Sequence, residues 1–126
     1  MPTYRSKTKH QITGEQAERL AEKFLHDQGL VLIMRNFRCK TGEIDLVMQQ
    51  GITLVFVEVR LRSDASFGSA ADSVDFRKRK KLIRAAAMFL LLHREYGTMA
   101  CRFDVIAIGD TSTTAIDWHS NAFDAY

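Results

Sequence analysis

The sequence predicts an α/β domain in which a mixed sheet is flanked by helices, and three observations carry that expectation. A capped helix with a one-sided apolar stripe opens the folded region, three strand-length runs follow with only short connections, and a long helical stretch separates the third run from a fourth. Short connections suit an antiparallel three-strand meander, whereas a long helix supplies the crossover that a parallel fourth strand needs. A chain of 126 residues with 46% hydrophobic content is one domain with a single core. Residues 1–12 are expected to form a basic tail and residues 13–126 the domain.

Thr13-Gly14-Glu15-Gln16 has the form of a capping box, so a helix should begin there. Ala17, Leu20, Ala21, Phe24 and Leu25 recur at helical spacing as its buried stripe, and Gly29 is a natural left-handed terminator. Glu15 points away from that stripe. Glu18 lies on its flank, beside whatever the helix packs against, and can reach a site, although a solvated glutamate is the default for such a position.

Leu30 to Arg38 reads as the first strand and Asn36 to Gly42 as a polar, basic connection to the second, Glu43 to Met48. Gln49-Gln50-Gly51 is a turn. Thr53 to Leu61 is the most apolar of the three strands, as a central strand covered on both faces would be. Ser63 to Ala71 is loop-like in composition, and its Phe67 is expected to fold back onto the core in preference to a base-stacking or dimer-contact role.

A second helix should start with Asp75 as N-cap and run to about Tyr96, before Gly97. Its first turns read Arg77-Lys78-Arg79-Lys80-Lys81, with Arg84 following. Cations at a helix N-terminus oppose the macrodipole by up to about 1 kcal/mol each and repel one another, so stability does not account for the cluster. A phosphate site does, because exposed N–H groups and side-chain charges then address the same anion. A solvated charged face is the alternative. Ala85 to Leu92 is apolar nearly all round and should be buried on more than one side. Ala100 to Ile108 is a fourth strand, interrupted by Asp104, which is expected to be a buried, hydrogen-bonded structural acid. Thr114 to Trp118 is a short fifth strand at the edge.

Charge is unevenly spread. The net charge is +3 and the pI near 9.0, yet Arg5, Lys7 and Lys9 make the N-terminus cationic while everything after Phe103 carries Asp104, Asp110, Asp117 and Asp124 with no Lys or Arg. Such a balance permits nucleic-acid binding without requiring it. Cys39 and Cys101 form no Cys-x-x-Cys pair, and His10, His26, His93 and His119 are scattered, so neither a zinc ribbon nor a disulfide framework is indicated. The longest apolar run is too short to span a bilayer, and the N-terminus has no apolar signal region, so a cytoplasmic, reduced protein is expected.

Two stretches hold acids where paired strands would want apolar side chains: Gly42-Glu43-Ile44-Asp45-Leu46-Val47 and Leu54-Val55-Phe56-Val57-Glu58-Val59-Arg60. Alternation along the second puts Phe56, Glu58 and Arg60 on one face, and Asp45 on the preceding strand can lie beside them. Two converging carboxylates suit Mg²⁺, which keeps several waters and needs only one or two protein carboxylates plus a substrate phosphate. A surface ion pair between Glu58 and Arg60 is the alternative.

An Asp, a hairpin and then Glu-x-Lys is the signature of restriction-endonuclease-like nucleases, and here Arg60 stands in the Lys place. Gly42-Glu43-Ile44-Asp45-Leu46, Phe56-Val57-Glu58-Val59-Arg60, Phe67-Gly68 and Arg102-Phe103-Asp104-Val105 together resemble the YraN family of bacterial proteins, which are similar to archaeal Holliday-junction resolvases. The resemblance runs from about Gly14 to about Gly109. It implies a restriction-endonuclease-like fold and a Mg²⁺- or Mn²⁺-dependent endonuclease acting on DNA, with branched DNA as a candidate substrate. In that reading Asp45, Glu58 and the main-chain carbonyl of Val59 hold the metal, and Glu18 is a further metal or water ligand. Arg60 stabilises charge on the phosphate but, being always protonated, cannot act as a base. Arg62, Arg77, Lys78, Arg79, Lys80 and Lys81 grip the nucleic acid. The resolvases act as dimers, but no dimer surface is legible in this chain. The competing class is a nuclease-like module that binds DNA or recruits a partner with weak or no cleavage.

Overall fold

The computed structural model describes residues 12–62, 75–109 and 115–124. Nearly all of the basic tail, the loop from Ser63 to Ala71 with Phe67, and Thr114 at the expected start of the fifth strand lie outside the described residues. Helix α1 spans Gly14–Asp27 and opens on the expected capping box. Gln16 N–H donates to Thr13 Oγ1 at 3.1 Å, and Thr13 N–H donates to Gln16 Oε1 at 2.8 Å. Five strands follow, β1 (Val31–Cys39), β2 (Gly42–Gln50), β3 (Thr53–Arg62), β4 (Ala100–Gly109) and β5 (Ile116–Phe123), with helix α2 (Phe76–Leu92) between β3 and β4.

The strands form one sheet in the order β1-β2-β3-β4-β5. β1, β2 and β3 are an antiparallel meander, β4 runs parallel to β3 after the α2 crossover, and β5 returns antiparallel at the edge. This is the mixed architecture that the sequence predicts, with β3 in the centre.

Each face of the sheet has its own core because side chains alternate along the strands. Ala17, Ala21 and Leu25 of α1 cover Leu46, Met48, Val55, Val57, Ile106 and Ile108. On the other face Leu82, Ala85, Ala86 and Phe89 of α2 cover Phe37, Ile44, Val47, Leu54, Phe56, Phe103, Val105 and Ala107. Phe89 meets Phe37 and Phe56 edge-on at 5.3 and 5.9 Å between ring centroids, arrangements that add to simple area burial.

Four expected boundaries are corrected. Gln49 and Gln50 belong to β2, pairing with Leu54 and Thr53, so the turn is Gly51 and Ile52. Asn36 to Cys39 belongs to β1, and the connection shrinks to Lys40 and Thr41, because Cys39 still pairs with Gly42. Helix α2 stops at Leu92, short of Tyr96. His93 leaves helical geometry to stack on the Phe89 ring at 4.3 Å, and Arg94–Tyr96 continues as a separate 3₁₀ turn. β5 extends past Trp118 to Phe123, since the polar run after Trp118 is tied down by Asp104. The Asp104 carboxylate, 1% exposed, accepts from Arg102 Nε at 2.9 Å, Trp118 Nε1 at 3.0 Å and Asn121 N at 2.8 Å. It is the structural acid that the sequence suggested. Among the described residues no helix is long and apolar enough to cross a membrane.

Candidate active site

The site lies where two strands part. The β2–β3 ladder runs from Gln50–Thr53 to Leu46–Val57 and ends there. Beyond that rung Ile44 and Glu43 pair with β1, while Glu58 to Arg62 pair with β4. Asp45 stands in the fork, and its Oδ2 accepts the Val59 N–H at 2.8 Å.

Asn36 shapes the other side of the fork. It adopts a left-handed φ of 52° inside β1, which breaks the alternation of its neighbours. Arg35 consequently turns to α1, where its Nε donates to Glu22 Oε1 at 2.6 Å, while Phe37 packs against Phe89 of α2. The same switch appears across the ladder, where Ile44 joins the α2 core and Leu46 the α1 core. Asp45, between them, is therefore reachable from both layers.

Three carboxylates meet there. Glu18 reaches in from α1 and hydrogen-bonds the side chains of Asn36 and Asp45, as its place on the flank of the apolar stripe predicts. Asp45 and Glu58 are only 8% and 5% exposed. Burial first, and then the Glu58 charge beside it, push the Asp45 carboxyl up to about 8, against the opposing bond from Val59 N–H. Glu18 is raised by burial and by the charge of Glu43. The acids form a chain centred on Asp45. Among the described residues no three His, Cys, Asp or Glu side chains make a protein-only metal cage.

Glu58 is compensated from two directions. Lys78 Nζ of α2 lies 2.9 Å from Glu58 Oε2, and Arg60 Nη1 lies 3.6 Å from the same oxygen. The expected surface contact between Glu58 and Arg60 thus exists, but Glu58 is buried and its nearer partner comes from the helix. A cleft of about 270 Å³ opens over this group, lined by Gly42, Glu43, Asp45, Glu58, Lys78, Lys81 and Leu82. Gly42 has a φ of 153°, and a Cβ there would come within 3.1 Å of the Lys81 carbonyl oxygen, so its lack of a side chain lets the β1–β2 turn approach α2.

The cation cluster at the start of α2 is not one surface, which corrects the single phosphate patch that the sequence suggested. At about 100° per residue, five consecutive side chains fan round the helix. Lys78 and Lys81 line the cleft. Arg79 lies over the Phe123 ring at 5.3 Å, Lys80 over the Phe76 ring at 4.9 Å, and Arg77 is exposed. Arg62 is largely buried, with Nη2 3.9 Å from Asp117 Oδ2 on β5. A second hollow of about 300 Å³ shares Gly42, Glu43 and Lys81 with the first and adds Arg38 and Lys40. Asn36, Arg38 and Lys40 escaped the reading of the sequence. Lys78 stands one turn before Leu82 in line with the stripe Leu82, Ala85 and Phe89, and Lys81 stands on its flank, a spacing that could have separated those two from the rest.

The model of the uncharacterised protein family UPF0102 matches residues 17–108, from the first turn of α1 to the end of β4, a span that holds every residue of the fork. The chain belongs to the UPF0102 (YraN) family. UPF0102 proteins of Methylobacillus flagellatus and Saccharophagus degradans are 54% and 52% identical to it, over 89% and 91% of this chain and 96% and 95% of theirs. That of Herminiimonas arsenicoxydans is 52% identical over 99% of this chain and 98% of its own. Among solved structures, Pyrococcus furiosus SfsA in complex with Ca²⁺ is a distant neighbour of this UPF0102 chain. The two share 13% identity with a TM-score of 0.38 over 85% of this chain, which spans 61% of that protein.

Proposed function

We propose that this UPF0102 protein is a metal-dependent endonuclease that hydrolyses DNA phosphodiester bonds. One observation carries the reading: Asp45 and Glu58 are buried side by side at a strand fork, where burial first, and then the charge of Glu58, lift Asp45 to about 8. Like charges held together out of water are costly, and a residue so perturbed in a cleft is a functional candidate. The donors fit a hard divalent cation, because both are carboxylates and a complete protein cage is not what Mg²⁺ uses. Asp45, Glu58 and the Val59 carbonyl are the residues that would hold Mg²⁺ or Mn²⁺, with Glu18 in reach through Asp45. When bound, such an ion lowers the pKa of a water and polarises the scissile phosphate.

The chain's own residues do the remainder. The Val59 N–H fixes the Asp45 carboxylate in the fork. Arg60, part-exposed beside Glu58, donates to a phosphate and spreads its developing charge. Lys81 extends the cationic lining toward Arg38 and Lys40 in the adjoining hollow, a path for the DNA backbone.

A second reading, a DNA-gripping module with weak or no turnover, is favoured by the Arg at position 60, which cannot act as a base. Mn²⁺-dependent cleavage of duplex, single-stranded, flap and four-way-junction DNA, run beside Asp45→Asn, tests the two. Cleavage by the wild type alone supports the endonuclease and names its substrate shape. Binding without cleavage supports the module, and cleavage by both proteins marks a contaminant.

A further inference from the structure

We propose that Lys78 is the ammonium of this site: it holds Glu58 as a stand-in for the divalent cation and turns to the substrate phosphate when the metal takes its place. The inference rests on the metal-site reading above and goes beyond it, since that reading gives the position after Glu58-Val59 to an arginine and leaves the site without a lysine on β3.

The geometry singles out Lys78 from its cationic neighbours. Its Nζ is 2.9 Å from Glu58 Oε2, a side chain only 6% exposed, whereas Arg60 approaches the same oxygen at 3.6 Å. Two cations therefore crowd one carboxylate, while Asp45 accepts the Val59 N–H and otherwise faces the acids Glu18 and Glu58. A divalent ion shared by Asp45 and Glu58 corrects that imbalance better than a monovalent head held by Glu58 alone. With a divalent ion held by Asp45 and Glu58, Nζ would face a double positive charge, and the Lys78 ammonium would be driven from Glu58.

Where it withdraws to is also set by the fold. Lys78 sits in the first turn of α2, its own N–H donating to the Asp75 N-cap at 2.9 Å, so its stem is fixed while its head swings. Of the other acids lining the cleft, Glu43 is engaged by Arg38 at 3.5 Å. A released Lys78 is three residues from Lys81, on the same side of the helix and facing the same cleft. Two ammonium groups so placed, at a helix N-terminus, fit one phosphate between them. A compact ammonium on a flexible stem can make this exchange, and a guanidinium fixed in a planar fork is poorly suited to it.

The test titrates full-length wild type, Lys78→Ala, Lys78→Arg and, as a remote control, Lys23→Ala with Mn²⁺ by calorimetry in the absence of DNA, and then measures single-turnover DNA cleavage and DNA affinity. Removing a competing cation should tighten Mn²⁺ binding by Lys78→Ala roughly fivefold, the scale of one partly exposed ion pair. Lys78→Arg, which keeps the charge, should return to the weak affinity of the wild type, and Lys23→Ala should not differ from it. Cleavage by Lys78→Ala should fall by about 10², as when one preorganised charge donor is lost from a reacting centre. Equal or weaker Mn²⁺ binding in Lys78→Ala beside measurable wild-type binding overturns the inference and leaves the metal site standing. Tighter binding with undiminished cleavage overturns the role at the phosphate. No Mn²⁺ binding by any variant removes the metal-site reading and this inference together.

Discussion

Asp45 and Val59 are joined across the fork between β2 and β3: the Val59 N–H donates to Asp45 Oδ2 at 2.8 Å, just past the last β2–β3 rung, Leu46–Val57. A side chain here does what the ladder no longer does. The bond anchors the carboxylate beside Glu58 and Glu18, and it ties Asp45 to the residue whose carbonyl is the third candidate ligand.

An asparagine at this position keeps an oxygen for the Val59 N–H and stays neutral at every pH, so the site never has to ionise beside Glu58. Asp45→Asn should raise the stability of the metal-free protein by about 1 kcal/mol, or roughly 4 °C in Tm, and should abolish the Tm gain on adding Mn²⁺. A melt with and without Mn²⁺ reads both. A lower Tm in the variant would mean that the charge is needed for the fold.

The pH dependence has a definite sign. Asp45 titrates near 3.8 when unfolded and near 8 when folded. Between those values the folded protein holds a proton that the unfolded chain has released, so this group's contribution is fully present below about pH 4 and is lost as pH rises toward 8. The stability difference between Asp45→Asn and wild type should widen in favour of the variant through that window, by at most about 1.4 kcal/mol per pH unit. Mn²⁺ must displace the same proton, so wild-type metal affinity should climb by up to about tenfold per unit from pH 6 to pH 8. A flat calorimetric profile would place the proton elsewhere.

Arg60 and Lys78 share one oxygen of Glu58, which makes their substitutions informative together. Arg60→Ala should weaken the phosphate grip and lower single-turnover cleavage, by about 10² if the guanidinium touches the reacting phosphate. Arg60→Lys should bind DNA about as well as wild type and cleave no faster, because Lys78 already brings an ammonium to the site. Marked acceleration in Arg60→Lys would instead mean that the lysine missing from β3 limits turnover.

DNA affinity should fall steeply with salt, and the residues of the two adjoining hollows should account for the slope. Lys81→Ala and Arg38→Ala are each expected to reduce it by roughly one ion. Arg79→Ala, whose guanidinium lies over Phe123, should change it less. Fluorescence anisotropy across a salt series measures all three. Identical slopes would move the DNA path away from the β1–β2 turn.

Asp104 makes a different expectation, since it binds β4 to β5 and lies outside the fork. Asp104→Ala leaves the Arg102, Trp118 and Asn121 donors without their acceptor and should cost about 3 kcal/mol. Hydrogen exchange should show loss of protection in β5 ahead of β3. Uniform loss across the sheet would assign Asp104 to the core as a whole.

The sequence by itself determined what depends on local periodicity and on neighbours along the chain. The capping box at Thr13, the α1 stripe, the strand character of β2, β3 and β4, the crossover by α2 and the placing of Glu18, Asp45 and Glu58 all follow from patterns that repeat within one element. So did the burial of Asp104, because an acid inside an apolar strand must be hydrogen-bonded or absent. Tertiary structure alone decided three matters. Asn36 takes a left-handed turn inside β1, a choice that trades local strain against packing on two layers at once and has no periodic signature. The cations from Arg77 to Lys81 divide according to what lies across from each helix face, so Lys78 meets Glu58 while Arg79 and Lys80 rest on aromatic rings. The charge state of Asp45 depends on burial and on Glu58, which is thirteen residues away along the chain and adjacent only because β2 and β3 part where they do.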